Sequence, residues 1–188
     1  TYGQVLWDAP FGNLATGARY EHHSESGDSF VPRLGYTWTA DRANVKLLAA
    51  RAFRAPGIEN IALNPDIRPE RTTVLEGEVG YRMTDALYAS VNVFDVTIED
   101  PIVYAYDAAS DTESYFNFDR TGTRGAEASI RIRTWQADAT ITASVYSSAG
   151  KNEVPLYAVP GDGGVLLGLA PLKLTAAGGV RVERRVRL

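Results

Sequence analysis

Leu75-Glu76-Gly77-Glu78-Val79-Gly80-Tyr81-Arg82 is the stretch whose reading decides the fold. Successive side chains of a strand point to opposite faces, so Leu75, Gly77, Val79 and Tyr81 share one side and Glu76, Glu78, Gly80 and Arg82 the other. The same division returns at Ala126, Ala128, Ile130, Ile132 against Glu127, Ser129, Arg131, Arg133. It returns again at Ala139, Ile141, Ala143, Val145 against Asp138, Thr140, Thr142, Ser144. Leu172, Leu174, Ala176, Val180 against Lys173, Thr175, Arg181, and Leu34, Tyr36, Trp38 against Arg33, Thr37, Thr39, repeat it. About nine strands of this kind are expected, making the chain all-β, an antiparallel meander with one apolar and one polar face.

Two strands read less cleanly. Between Leu87 and Asp100, Tyr88, Phe94, Val96 and Ile98 oppose Leu87, Ala89, Val91 and Val93, and a bulge near Phe94 is expected to switch the faces. In 44–53, Lys46 shares a face with Leu48 and Ala50, which leaves the inward face open.

Loop lengths give the sheet two unlike ends. The connections Asp8–Gly12, Ala40–Ala43, Met83–Asp85 and Trp135–Gln136 are short, and Ser24–Ser29, Arg54–Glu70, Ala105–Glu113 and Ala149–Leu166 are longer. Strict alternation places every tight turn at one end, the layout of outer-membrane barrels. Trp7, Trp38 and Trp135 lie beside short turns, and Tyr81 and Tyr88 flank another, as an aromatic girdle at headgroup level requires. The opposite faces carry repeated Glu and Arg, suited to ladders in a wet lumen; Glu76, Glu78 and Arg82 facing Glu127, Arg131 and Arg133 is one such pairing.

Composition narrows the alternatives. A net charge of −4 and a pI near 5.2 give no basic face for nucleic acid, so no nucleic-acid partner is expected. The absence of cysteine excludes disulfides, thiolate metal sites and cysteine catalysis. No run approaches the roughly 18 apolar residues of a membrane-spanning helix. The chain opens in mid-pattern at Thr1–Trp7, with no secretory leader, and is expected to be cut from something longer.

Specific residues then point to a family. Arg51-Ala52-Phe53-Arg54-Ala55-Pro56, Asn64-Pro65-Asp66-Ile67-Arg68-Pro69-Glu70 and Glu76-Gly77-Glu78-Val79-Gly80-Tyr81-Arg82 together resemble the barrel signature of TonB-dependent receptors. The likeness continues through Asn92-Val93-Phe94, Ile98-Glu99-Asp100 and Arg124-Gly125-Ala126-Glu127, and includes Gly17-Ala18-Arg19-Tyr20-Glu21 and Pro32-Arg33-Leu34-Gly35. Phe53, Arg54, Pro56, Asn64, Pro65, Pro69, Glu70, Glu76, Gly125 and Glu127 are the signature positions.

The resemblance implies an energised import receptor surrounded by outer-membrane lipid, with a plug domain in its lumen and a TonB contact through that plug. Its implied cargo is a scarce small molecule, a ferric siderophore first, with cobalamin and oligosaccharides behind. Receptors of this class close with about 22 strands. Residues 1–188 are therefore expected to be a partial barrel domain of a large transmembrane outer-membrane barrel, with the plug and C-terminal strands absent. The end Arg184-Arg185-Val186-Arg187-Leu188 lacks the terminal aromatic usual in complete barrels.

Candidate chemistry is sparse. His22 and His23 are adjacent and point to opposite faces, so they cannot jointly clamp a metal, and polar residues near a loop mouth explain them. Asp107, Asp111 and Asp162 lack calcium-loop spacing, and Gly161-Asp162-Gly163-Gly164 lacks the Lys-Ser/Thr of a phosphate loop. Ser144, Ser147 and Ser148 have no histidine near in sequence, so no catalytic group, metal or cofactor is expected. Substrate contact falls to the long loops, where Tyr104, Tyr106, Tyr115, Phe116 and Tyr157 either stack on a ligand ring or form an upper lipid girdle. A passive porin and a soluble β-sandwich remain the alternatives: the first does not account for the Arg51–Arg82 segments, and the second needs a second sheet over its apolar face.

Overall fold

The computed structural model describes residues 1–24, 27–108 and 111–182. Among the described residues, nine strands form a single antiparallel sheet: β1 (Tyr2–Ala9), β2 (Gly12–His23), β3 (Gly27–Thr39), β4 (Ala43–Arg54), β5 (Glu70–Arg82), β6 (Leu87–Glu99), β9 (Arg120–Arg133), β10 (Ala137–Ser147) and β13 (Leu172–Val180). Between β4 and β5 lies one short helix, α1 (Ile58–Leu63). Between β6 and β9 a hairpin, β7 (Ile102–Asp107) with β8 (Thr112–Asn117), forms a separate sheet, and β11 (Ala158–Val159) with β12 (Asp162–Leu166) does so between β10 and β13. The order β1-β2-β3-β4-β5-β6-β9-β10-β13 is a meander interrupted only by these insertions.

Register assigns the faces. Leu75 opposes Ala49, Gly77 opposes Leu47 and Val93, and Val91 opposes Val79 and Ala128, so the apolar residues of neighbouring strands meet on one surface. Ile130–Ile141 and Ala143–Leu174 continue it. Nothing in the described chain covers that surface: Leu47, Leu75, Val79, Val91, Val93, Ile141 and Leu174 all stand exposed. The only buried hydrophobic residues among those described, Ile67, Ile102, Val103 and Val154, lie in the connections at the loop end. A water-soluble sandwich buries its apolar face against a second sheet; this sheet presents it outward, as a lipid-facing wall does.

The apolar band has an upper edge. On β5 it stops at Leu75 and gives way to Thr73 and Arg71; on β6 it stops at Val93, before Asp95, Thr97 and Glu99. On β9 it begins at Ala126, after Arg124, Gly122 and Arg120. Seven positions per strand, Leu75 to Tyr81 or Leu87 to Val93, cover about 20 Å at ~3.4 Å per residue, close to the apolar belt of an outer-membrane barrel. Above it the strands run on into water.

Strand bounds, register and strand order correct four expectations. No bulge interrupts β6, whose register with β5 and β9 is unbroken; its outer side turns polar at Asp95 because it leaves the apolar band there, while Phe94, Val96 and Ile98 stay on the inner side. The 24–29 connection is short, since β2 and β3 extend to His23 and Gly27, so long and short loops do not strictly alternate. Tyr88 does not belong to the outer girdle: it falls on the inner face opposite Arg82 and Arg131. The strands bearing Glu76 and Glu127 do not pair, because β6 lies between them. For 44–53 the open question closes with Lys46, Leu48 and Ala50 inward, Lys46 bonding Glu78 at 2.8 Å, and Val45, Leu47 and Ala49 outward. The terminal residues Arg184–Leu188 lie outside the described chain.

At the turn end Trp7, Trp38 and Tyr81 share the apolar face and Trp135 lies in the β9–β10 turn, with Phe11 edge-on to Trp7 at a ring separation of 5.5 Å. Two inner-face glycines are dictated by neighbours. A Cβ at Gly80 would fall on the Tyr88 hydroxyl, which crosses β5 to donate to Asn44 Oδ1 at 2.9 Å. A Cβ at Gly125 would strike the Val145 carbonyl, Phe94 Cζ at 2.7 Å and Tyr146 Cβ at 2.8 Å, so the glycine of the signature is the space that two aromatic side chains occupy.

Candidate functional site

The signature residues converge at the loop end. Arg54, last in β4, and Glu70, first in β5, are paired in register and joined at 2.7 Å. The same Glu70 oxygen accepts from the N–H of buried Ile102, the first residue of β7, at 3.2 Å. One carboxylate therefore fastens the β7–β8 hairpin to the sheet, and charge-assisted bonds of this kind are stronger than neutral ones.

The segment 55–69 is fastened to the same hairpin. Asn64 caps the end of α1, where its N–H donates to Asn60 O at 2.9 Å, and its side-chain amide donates to Tyr115 O of β8 at 2.8 Å. Pro65 follows directly, and a residue preceding proline disfavours further helix. Asn117 treats Arg68 as a strand neighbour, accepting from its N–H at 2.7 Å and donating to its carbonyl at 2.9 Å, with a further bond to Asp100 O at 2.8 Å. Arg68 and Arg71 both reach the Asp100 carboxylate, at 2.7 and 3.7 Å. Ile67, Ile102 and Val103 are the buried hydrophobes of this junction, each contributing on the order of 1.5–3 kcal/mol. Pro56 opens the segment ahead of α1, Pro69 leads directly into Glu70, and Phe53 stands half-buried opposite Arg71.

The hairpin carries the aromatic candidates. Tyr104 opposes Tyr115, with ring centroids 5.1 Å apart and tilted by 58°, and Tyr106 opposes Glu113. These three tyrosines share one face. Phe116 opposes Val103 on the other, and Tyr157 stands apart, on the 3-10 turn Pro155–Tyr157. Tyr104 donates to Glu113 Oε2 at 2.7 Å and Tyr106 to Asp111 Oδ1 at 2.5 Å. Donation to Glu113, then desolvation and the charges of Glu113, Tyr115 and Glu59, raise the Tyr104 phenol above its usual range; donation to Asp111 and desolvation do the same at Tyr106. Both remain neutral hydroxyls at physiological pH.

The other candidates are placed as follows. Glu76 lines the inner wall with Leu48 and Asn92, and Glu127 accepts from Ser144 at 2.8 Å. Asp28 accepts from Tyr20 and meets His22 Nδ1 at 2.7 Å. Asp162 accepts from Gly164 N–H within its turn, and buried Ser148 donates to Gly163 O at 3.4 Å. Sequence reading did not single out Asn117 or Glu113, whose partners become visible only once β7 and β8 are paired; the positive φ of Asp100 (52°), where the chain turns from β6 into the hairpin, is likewise a feature of the fold.

Comparison with known proteins agrees with this geometry. The family model described as TonB dependent receptor-like, beta-barrel matches residues 1–183, and the chain belongs to that family. Its sheet is thus outer-membrane barrel wall; barrels of this kind carry their short turns on the periplasmic side and their long connections outside. The iron-regulated outer membrane virulence protein of Vibrio cholerae serotype O1 is 28% identical over 144 residues, 63% of this chain and 22% of that protein. The siderophore receptor PirA from Acinetobacter baumannii shares the fold with a TM-score of 0.75 at 16% identity, over 93% of this chain and 30% of that one. The FrpB iron transporter from Neisseria meningitidis (F3-3 variant) does so with a TM-score of 0.63 at 18% identity, over 77% and 24%. The chain spans about a quarter of the length of these relatives.

Proposed function

We propose that this chain is the ligand-facing part of the barrel wall of a TonB-coupled importer, and that the cargo of the whole receptor is a ferric siderophore. A plug domain and the remaining strands complete the barrel in this reading, and TonB acts on the plug while these strands serve as a passive wall and a mount for the outer loops. The observation that carries it is the fastening of the β7–β8 hairpin, whose three-tyrosine face is tied to the sheet and to the 55–69 segment through Glu70, Asn64 and Asn117. Rigid aromatic surfaces bind planar ligand rings at low entropic cost. The names of the relatives, an iron-regulated outer-membrane protein and siderophore receptors, favour iron over other cargo.

The test is uptake of radiolabelled iron by cells carrying the full-length receptor, grown under iron limitation with single siderophores supplied. Energy-dependent uptake that falls with Tyr104→Ala and Tyr115→Ala supports the reading. Uptake that persists after the proton gradient is collapsed contradicts it, as passive diffusion through a pore.

A further inference from the structure

On the outer face a groove of about 380 Å³ opens across β3, β4 and β5, with Thr16, Leu34, Ala49, Arg51, Thr73 and Leu75 in its lining. Register accounts for its shape. Leu34, Ala49 and Leu75 form one row across the three strands, so a single methyl stands between two exposed leucines. Just above that row the β3–β4 ladder ends at Arg33 and Ala50, although both strands run on, and the next residue of β3 is Pro32, which has no N–H to offer a neighbour. From there β3 pairs with β2 alone, as far as Gly27 and His23.

Arg51 stands at the upper end of the groove, opposite Thr73, the first polar residue above the apolar band on β5. Among the described residues its guanidinium makes no ion pair and no side-chain hydrogen bond. The neighbouring strands offer it no acid on that face: β2, β4 and β5 place no carboxylate outward, and the one on β3, Asp28, is held by Tyr20 and His22 at 2.9 and 2.7 Å. On β6, beyond β5, Asp95 is held by Lys151 and Glu99 faces Arg71. A guanidinium does not shed its charge, and its fork of donors matches a phosphate. An unpaired one at the rim of an apolar groove in a lipid-facing wall suits a ligand with an anionic head and an apolar tail. We infer that this groove is a lipid site, which takes an acyl chain of a phosphate-bearing outer-leaflet lipid over Ala49, between Leu34 and Leu75, with the phosphate on Arg51. Ala49 leaves the space for the chain, and Arg51 sets the height of the headgroup. The site follows from the lipid-facing side of the sheet and is independent of the cargo.

The experiment is native mass spectrometry of the full-length receptor in detergent micelles, offered lipid A, a phosphorylated glycolipid, or the same lipid stripped of its phosphates. The wild type retains the phosphorylated form more tightly, by on the order of tenfold. Arg51→Ala removes this preference, and Arg51→Lys, which keeps the charge but not the fork, retains part of it. Ala49→Phe fills the groove and leaves the guanidinium in place, so it lowers retention of both lipids. Retention of the heat-modifiable folded form on gels establishes that each variant barrel is intact. No preference in the wild type, or the full preference kept by the folded Arg51→Ala receptor, overturns the phosphate contact and with it the site. Undiminished retention of both lipids by the folded Ala49→Phe receptor overturns the groove as the place of the acyl chain.

Discussion

Glu70 accepts from Arg54 at 2.7 Å and, through the same oxygen, from the N–H of Ile102. The Glu70 side chain is only 16% exposed while that of Arg54 is 59% exposed, so the larger loss on removing the carboxylate is at the buried Ile102 N–H. Glu70→Ala is expected to cost about 1–3 kcal/mol of local stability, visible as at least roughly fivefold faster hydrogen exchange at β7 amides with β5 and β6 unchanged. Glu70→Gln restores part of the protection, because its carbonyl still accepts. Equal acceleration across the whole sheet would show that the pair stabilises the barrel rather than the hairpin.

Gly80 and Gly125 both face the lumen, but their neighbours differ. At Gly80 an added methyl meets the ends of two side chains, Tyr88 and Asn44, which can swing away at the loss of one hydrogen bond, about 1 kcal/mol. At Gly125 it meets the Val145 carbonyl as well as two side chains, and backbone cannot move cheaply; about 2–3 kcal/mol is expected. The temperature at which the folded gel form of the full receptor converts to the unfolded one should drop more for Gly125→Ala than for Gly80→Ala. The reverse order would mean that the Phe94–Gly125–Tyr146 contact is looser than described.

The phenols of Tyr104 and Tyr106 are raised by donation to Glu113 and Asp111. A tyrosine whose folded pKa lies above the unfolded value of about 10 stabilises the fold fully below that pH, and the contribution is lost as pH rises through the folded value. Ultraviolet difference titration of the folded receptor against its Tyr104→Phe and Tyr106→Phe variants should show that each of these two phenols ionises above the ordinary range, and Glu113→Gln should return that of Tyr104 toward it. No change on that substitution would remove Glu113 as the cause.

Most of the wall was legible in the sequence because period-two patterning is local. Leu75 to Arg82 and Ala126 to Arg133 each declare both faces within eight residues. The pattern misled where a strand crosses the edge of the lipid band: the outer side of β6 turns from Val93 to Asp95 while the inner side turns from Asn92 to Phe94, so hydrophobicity changes sides although the backbone does not. Tyr88 misled for a related reason, since an aromatic residue beside a turn reads as girdle unless its register is known. The hairpin junction was only half visible. Arg54, Asn64 and Glu70 belong to a recognisable signature, but the bonds of Asn117 to Arg68 and of Asn64 to Tyr115 join residues about fifty positions apart, and no local pattern encodes them.

The central claim is that one face of this sheet meets lipid and the other the lumen, and Val91 and Asn92 are adjacent residues assigned to opposite sides. A fluorophore attached to Val91→Cys or to Asn92→Cys in the full receptor, reconstituted with brominated lipid, reports this directly. The account predicts strong quenching at position 91 and little at position 92. Quenching at 92 with none at 91, or equal quenching at both, would contradict the assignment of the apolar face to the membrane.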